Sequence, residues 1–185
     1  MLPQQVTMRA GTVYFPKCGT GWLVNEQHVV TNRHIAQCVR RTFRSWPWVI
    51  FPDGSQIFLT RIRWSGEPYV DLAVFELEDP IPAKALPLGD PESLSRDMVV
   101  LSVGNPPNSR FQPNHFRVVA RPPRVAGGLD GVIVLEGDAE AGESGSPIAT
   151  LDGKVVGVLF ARAPGHAYAV PVRPYLIDLM NADPR

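Results

Sequence analysis

With 19 prolines and 16 glycines among 185 residues, the chain is cut into short runs. Between these breaks the runs are rich in valine, isoleucine and aromatic residues. That combination predicts an all-β sandwich or barrel. Val6 to Phe15 reads as a first strand, Gly21 to Val24 as a second and His28 to Thr31 as a third. Arg33 to Gln37 fits one helical turn. Trp46 to Phe51 reads as a fourth strand, closed by the turn sequence Pro52-Asp53-Gly54-Ser55. Gln56 to Trp64 is a fifth, with Phe58, Ile62 and Trp64 expected on one face. Asp71 to Leu77 is a sixth.

The texture then changes. Glu78 to Arg96 holds four prolines and little periodicity, and reads as a connector across the surface. Strands resume at Met98 to Val103, His115 to Ala120, Val132 to Leu135, Lys154 to Phe160 and Ala167 to Val170. Pro174 opens a C-terminal helix, Tyr175 to Met180, from a favoured first-turn position. Two groups of about six strands predict two β-barrels in one domain. The expected bounds are about 6–78 for the first barrel, 79–96 for the connector, and 97–182 for the second barrel with its helix.

Charge narrows the partners. The chain has 18 basic and 18 acidic residues and a formal net charge of zero, which argues against nucleic acid or a membrane surface as partner. Arg40, Arg41 and Arg44 read as a solvated loop. Trp46 and Trp48 read as barrel packing, Met98 and Met180 as core filler, and His28, His115 and His166 as surface or loop residues. No segment is long enough to span a bilayer, and the start at Met1 lacks the basic head and apolar run of a secretion signal. The expectation is therefore cytoplasmic. Cys18 and Cys38 are too few and too isolated for a zinc site. Free thiols are favoured over a disulfide, which also fits the cytoplasm.

One stretch carries chemistry: Ala141-Gly142-Glu143-Ser144-Gly145-Ser146-Pro147. Glycines around a serine allow a sharp turn, and such a turn can aim the backbone N–H groups of Gly142 and Ser144 at one point, as an oxyanion hole requires. A serine hydroxyl is a weak nucleophile at neutral pH and needs a base, and the base needs an orienting acid. His34 follows the third strand. Asp71 begins the sixth, where an unpaired carboxylate would be costly. The order His34, Asp71, Ser144 is one of three known orders for a serine triad.

Thr20-Gly21-Trp22-Leu23-Val24, Thr31-Asn32-Arg33-His34, Asp71-Leu72-Ala73-Val74 and Gly142-Glu143-Ser144-Gly145-Ser146-Pro147 resemble motifs of the chymotrypsin/trypsin superfamily. The likeness is nearest to its bacterial HtrA-like and glutamyl-endopeptidase-like branches. Pro87-Leu88-Gly89-Asp90 and Val103-Gly104-Asn105-Pro106 also resemble HtrA-type segments. The resemblance covers about Val13 to Pro171. It implies two six-stranded antiparallel barrels with the active site in the cleft between them. It also implies a serine endopeptidase that needs no metal or cofactor and acts on a protein or peptide substrate. His34 would be the general base, Asp71 its orienting acid, Ser144 the nucleophile, and the Gly142 and Ser144 amides the oxyanion donors. A silent peptide-binding module and a serine esterase are the alternatives on the same scaffold.

The sequence departs from the family at three places. Glu143 stands where members carry Asp or Asn, and no Ile-Val-Gly-Gly-like start is present, so the secreted-zymogen switch is not carried over. Low basal activity is expected instead, raised when substrate, a partner or another domain turns the Gly142 amide inward. No PDZ domain follows within these residues. Cys18 and Cys38 resemble the cysteines flanking the trypsin histidine, but Cys38 lies four residues past His34, so that bridge is not carried over either. Six residues before Ser144 stands Asp138, which the family would place at the floor of the P1 pocket. Phe160, Ala161, Arg162 and Tyr168 would form its walls. A basic, a small apolar and an acidic P1 residue all remain open, the last two if Arg162 neutralises Asp138.

Overall fold

The computed structural model describes residues 1–82 and 84–181. Two closed antiparallel barrels of six strands each account for most of the chain. The first is built from β1 (Thr12–Phe15), β2 (Gly19–Leu23), β3 (His28–Thr31), β4 (Trp48–Ile50), β5 (Gln56–Trp64) and β6 (Ala73–Leu77). Its strand order is β1-β2-β3-β6-β5-β4, and Tyr14 opposite Ile50 closes the ring. The second uses β7 (Val99–Gly104), β8 (Gln112–Ala120), β11 (Ile133–Glu136), β12 (Pro147–Ala149), β13 (Val155–Ala163) and β14 (His166–Pro171), in the order β11-β14-β13-β12-β7-β8. A small hairpin of β9 (Arg124–Val125) and β10 (Gly128–Leu129) stands apart.

Three helices frame the barrels: α1 (Pro3–Ala10), α2 (Arg33–Thr42) and α3 (Tyr175–Asn181). The first corrects the sequence reading, which extended a strand back to Val6. Gln5 and Met8 are buried on one face of α1 while Val6 is exposed, a helical spacing and not an alternating one. Pro3 starts this helix, and the Thr12 hydroxyl donates to the Met8 carbonyl at 2.7 Å, so the strand begins only there. Arg40 and Arg41, read as a loop, lie in the last turn of α2, where positive charge suits the helix dipole. Arg40 stacks over the Trp64 ring at 5.3 Å.

Packing forms three apolar clusters. One fills the first barrel around Phe15, Val29, Phe51 and Phe75, and one fills the second around Phe116, Ile133, Leu135 and Ile148. The largest joins the two barrels. Trp22, Val30, Leu72 and Val74 from the first meet Leu101, Val103, Val158 and Val170 from the second, with Met8 of α1 and Leu176 of α3 at the ends. Met98 and Met180 are partly buried against these cores, as expected. In β5 the register shifts between Leu59 and Arg61, and the extra residue reverses the alternation. Ile62 and Trp64 therefore pack inward while Phe58 is 46% exposed, so the three do not share a face. Trp46 is likewise no packing residue: it is 67% exposed and meets Phe58 edge-on.

Cys18 and Cys38 form a disulfide, with Cα atoms 5.8 Å apart. This corrects the free-thiol expectation. Residues His34 and Cys38 are four apart on α2, hence one turn apart on one face, which brings Cys38 against the turn ahead of β2. The bridge also removes one ground for the cytoplasmic expectation, because disulfides persist in oxidising compartments. Among the described residues no helix is long and apolar enough to cross a membrane.

Candidate active site

His34 is the second residue of α2. Its backbone N–H is one of the first-turn donors that a helix leaves unpaired. Asp71, just ahead of β6, accepts that N–H on Oδ1 at 3.0 Å and takes His34 Nδ1 on Oδ2 at 2.5 Å. One carboxylate thus caps the helix start and fixes the imidazole ring. The backbone leading to Asp71 is held in turn. The Arg33 guanidinium donates to the carbonyls of Ser65, Glu67 and Pro68, and Asn32 Nδ2 donates to the Asp71 carbonyl at 2.9 Å. Burial by itself pushes the Asp71 carboxyl up, but the hydrogen bonds and charge of His34 outweigh it and hold the carboxyl below its ordinary value. The strand was expected to begin at Asp71 and begins at Ala73, which leaves Asp71 free to face α2.

Two consecutive turns present Ser144. In the first, Glu143 N–H donates to Glu140 O at 3.2 Å, and Gly142 takes the third position with φ +89°. In the second, Ser146 N–H donates to Glu143 O at 3.0 Å, and Gly145 takes the third position with φ +91°. A positive φ at that position is the requirement of a type II turn, and glycine meets it without strain. Space demands glycine as well: a Cβ on Gly142 would lie 2.2 Å from Asn105 O, and one on Gly145 would lie 1.9 Å from Thr20 O. Gly145 N–H and Ser146 O pair with Leu159, which pins the second turn to β13. Among the described residues, the Gly142 and Ser144 amides donate to no protein acceptor. They are the two donors expected for an oxyanion.

The first barrel seats these turns. Thr20 N–H donates to Ser144 O at 3.0 Å, and Thr31, three residues before His34, donates its hydroxyl to Thr20 O at 2.7 Å. Gly19 lies between Ser144 O and the side chain of Ile35, so Ser144 and the first turn of α2 meet across it. The ring of His34 bonds to Asp71, and among the described residues no hydrogen bond joins it to Ser144 Oγ.

Sequence reasoning assigned no role to the residues that fix the first turn. Thr20 Oγ1 donates to Gly142 O at 2.8 Å and accepts from both the backbone and side-chain nitrogens of Asn105 at 3.0 and 3.1 Å. Asn105 is buried and also donates to Val13 O, so β1, β2 and the end of β7 all bear on the Gly142 carbonyl. Both residues lie in segments that resemble the family, but a bond to a distant carbonyl leaves no local pattern. Asn114, likewise assigned no role, pairs with Glu143, which the sequence had marked. Glu143 is 3% exposed, and its carboxylate accepts from Glu140 N–H at 2.5 Å and from Asn114 Nδ2 at 3.2 Å. Burial pushes this carboxyl up, against those two bonds.

The segments expected to form a P1 pocket do adjoin. Gly137 N–H donates to Gly165 O at 3.0 Å, and Arg162 reaches the Ala139 carbonyl at 3.4 Å. Ala161 and Arg162 pair with Tyr168 and Ala167 across β13 and β14, and the register shift between Leu159 and Ala161 leaves Phe160 at a bulge. Phe160 packs against the cluster between the barrels. Asp138, however, is exposed, as is Arg162.

Residues 19–158 match the model of the trypsin-like peptidase domain. The chain belongs to that family. Over 159 residues it is 27% identical to the serine protease Rv3671c of Mycobacterium tuberculosis, a match covering 80% of this chain and 38% of the relative. Over 161 residues it is 28% identical to a probable periplasmic serine endoprotease, DegP-like, of Bartonella henselae, covering 83% of this chain and 31% of that protein. It thus spans less than half the length of these relatives. Among solved structures, a serine-to-alanine mutant of M. tuberculosis Rv3671c in its inactive form superposes with a TM-score of 0.78 at 20% identity, over 99% of this chain and 93% of that one. The HtrA-type protease AlgW with a decapeptide superposes with a TM-score of 0.73 at 21% identity, over 88% and 50%. At such identities the structures attest the fold, and trypsin-like peptidase domains of HtrA-type proteases share it.

Proposed function

We propose that this trypsin-like domain is the catalytic unit of a serine endopeptidase. The observation that carries the reading is the two-point hold of Asp71 on His34, at the backbone N–H and at Nδ1. That hold fixes the tautomer with Nε2 as the free acceptor, the form a general base must have. His34 Nε2 takes the Ser144 Oγ proton as Oγ attacks the peptide carbonyl. The oxyanion forms between the Gly142 and Ser144 amides. His34⁺ then gives the proton to the leaving amine, and the acyl-enzyme on Ser144 is hydrolysed by water activated the same way. The Ser144–His34 bond forms when substrate arrives, since catalytic hydrogen bonds are often long or unmade in a free enzyme. The substrate is a protein or peptide.

A fluorophosphonate probe tests the chemistry. The wild type should label, and Ser144→Ala should not. His34→Ala should lose nearly all turnover, because triad members act as a unit. Turnover of peptides as well as esters sets an endopeptidase apart from an esterase. Substantial peptidase activity in Ser144→Ala would refute the assignment.

A further inference from the structure

We infer that Asn114 is a positioning residue for the oxyanion turn and makes that turn answer to the N-terminal helix. The inference rests on the reading of Gly142 and Ser144 as oxyanion donors. Asn114 sits on β8 with its side-chain amide fully engaged. Nδ2 donates to Asp138 O at 3.0 Å and to Glu143 Oε1 at 3.2 Å, and Oδ1 accepts from His115 N–H at 2.8 Å. A rotated amide would break all three bonds, so the partners fix its orientation. Its two acceptors bracket the segment from Asp138 to Glu143, which contains Gly142. Inside the bracket, Glu140 N–H donates to the other Glu143 carboxylate oxygen. Gly104 of β7 backs the Glu143 side chain, and a Cβ there would lie 3.1 Å from Glu143 Cγ. The buried carboxylate therefore leans on two donors, and Asn114 is the one from outside the loop.

The backbone of Asn114 carries the second link. Its carbonyl accepts from Gln5 Nε2 at 3.1 Å, although the two residues are 109 apart in sequence. Gln5 is 6% exposed on α1, and its Oε1 accepts Leu2 N–H at 3.1 Å. One residue thus separates the N-terminal helix from the oxyanion turn. The acid before the serine forms no salt bridge among the described residues. Here the acid is Glu143, and its partners are internal: an amide from β8 and a backbone N–H. With Asn114 removed, a buried carboxylate loses one of its two donors, the first turn loosens, and the Ala141–Gly142 peptide is free to rotate its N–H away from the hole. Displacing Gln5 moves the Asn114 carbonyl and does the same more weakly.

The test compares wild type, Asn114→Ala, Gln5→Glu and the double variant. Gln5→Glu keeps the bond to Leu2 N–H and replaces the donor that reaches Asn114. Loss of one oxyanion donor outright costs about 10²–10³ in kcat, so a donor displaced part of the time should cost less: about 10- to 100-fold for Asn114→Ala and about 3- to 10-fold for Gln5→Glu. KM should stay within about threefold, and a peptidyl boronate should weaken in step with kcat, because a transition-state interaction is what is lost. In the Asn114→Ala background, Gln5→Glu should add nothing. Hydrogen exchange at the Glu140 and Glu143 amides, faster in both single variants, is read whether or not the protein turns over peptide. An inactive wild type with that exchange pattern would refute the endopeptidase reading alone. Unchanged exchange, unchanged kcat in an active enzyme, or full additivity in the double variant would overturn this inference. If Asn114→Ala does not fold, Asn114→Ser, which keeps one donor, takes its place with a smaller loss expected.

Discussion

Asp71 does two jobs with two oxygens, and both draw on the one carboxylate charge. Its folded-state carboxyl is held below the ordinary range by His34. A depressed carboxyl contributes stability that is present above the unfolded value and lost as pH falls through the folded value. Asp71→Asn should therefore narrow its stability deficit against wild type as the solution is acidified through that window, measured by urea unfolding at neutral and acid pH. A constant deficit would remove the ionised contact as its source. At neutral pH the same variant should fold and lose roughly 10⁴-fold in kcat, because the wrong imidazole tautomer results.

Among the elements, α2 carries the most function for its length. Its first turn holds His34, and one turn later Cys38 bridges to Cys18 ahead of β2. Since Thr20 and Gly19 of β2 meet the Ser144 turn, the disulfide ties the helix of His34 to the strand that seats Ser144. Two residues separated by 20 in sequence close a loop whose constraint on the unfolded chain amounts to about 3 kcal/mol. The paired change of Cys18→Ser and Cys38→Ser, or reduction, should lower unfolding free energy by about that much and depress activity. Denaturant curves with and without reductant measure it, and equal midpoints would show that the bridge adds nothing.

At the scale of the molecule, the largest apolar cluster belongs to neither barrel alone. His34 and Asp71 come from the first barrel and Ser144 from the second, so that cluster sets the distance between them. Leu72, fully buried there, lies next to Asp71 in sequence. Leu72→Ala should cost about 2–5 kcal/mol through the cavity it leaves and should reduce turnover without touching the triad. Unfolding should remain one cooperative transition, since both barrels share this core. Two separated transitions by fluorescence and circular dichroism would show barrels that fold independently.

The order His34, Asp71, Ser144, the glycines around the serine and most strand positions were legible in the sequence. Each is a local signal: a turn residue, an alternation, or a short motif. The structure alone decided the rest. Helix α1 was hidden because Val6 to Phe15 is apolar enough for a strand, and only the burial of Gln5 and Met8 against other elements settles its period. The inward face of β5 reversed at a one-residue bulge, which composition does not mark. Cys38 reached Cys18 because a helical turn, not sequence adjacency, governs what lies beside His34. Asp138 stands at the family's pocket position by count, and its exposure is set by the path of its loop. Thr20, Asn105 and Asn114 act on backbone groups up to 122 residues away, and such bonds impose no residue pattern nearby. The proposed chemistry was legible in the sequence because reacting groups must be particular side chains. The precision of the site was not, because backbone held by distant hydrogen bonds exists only once the barrels have closed.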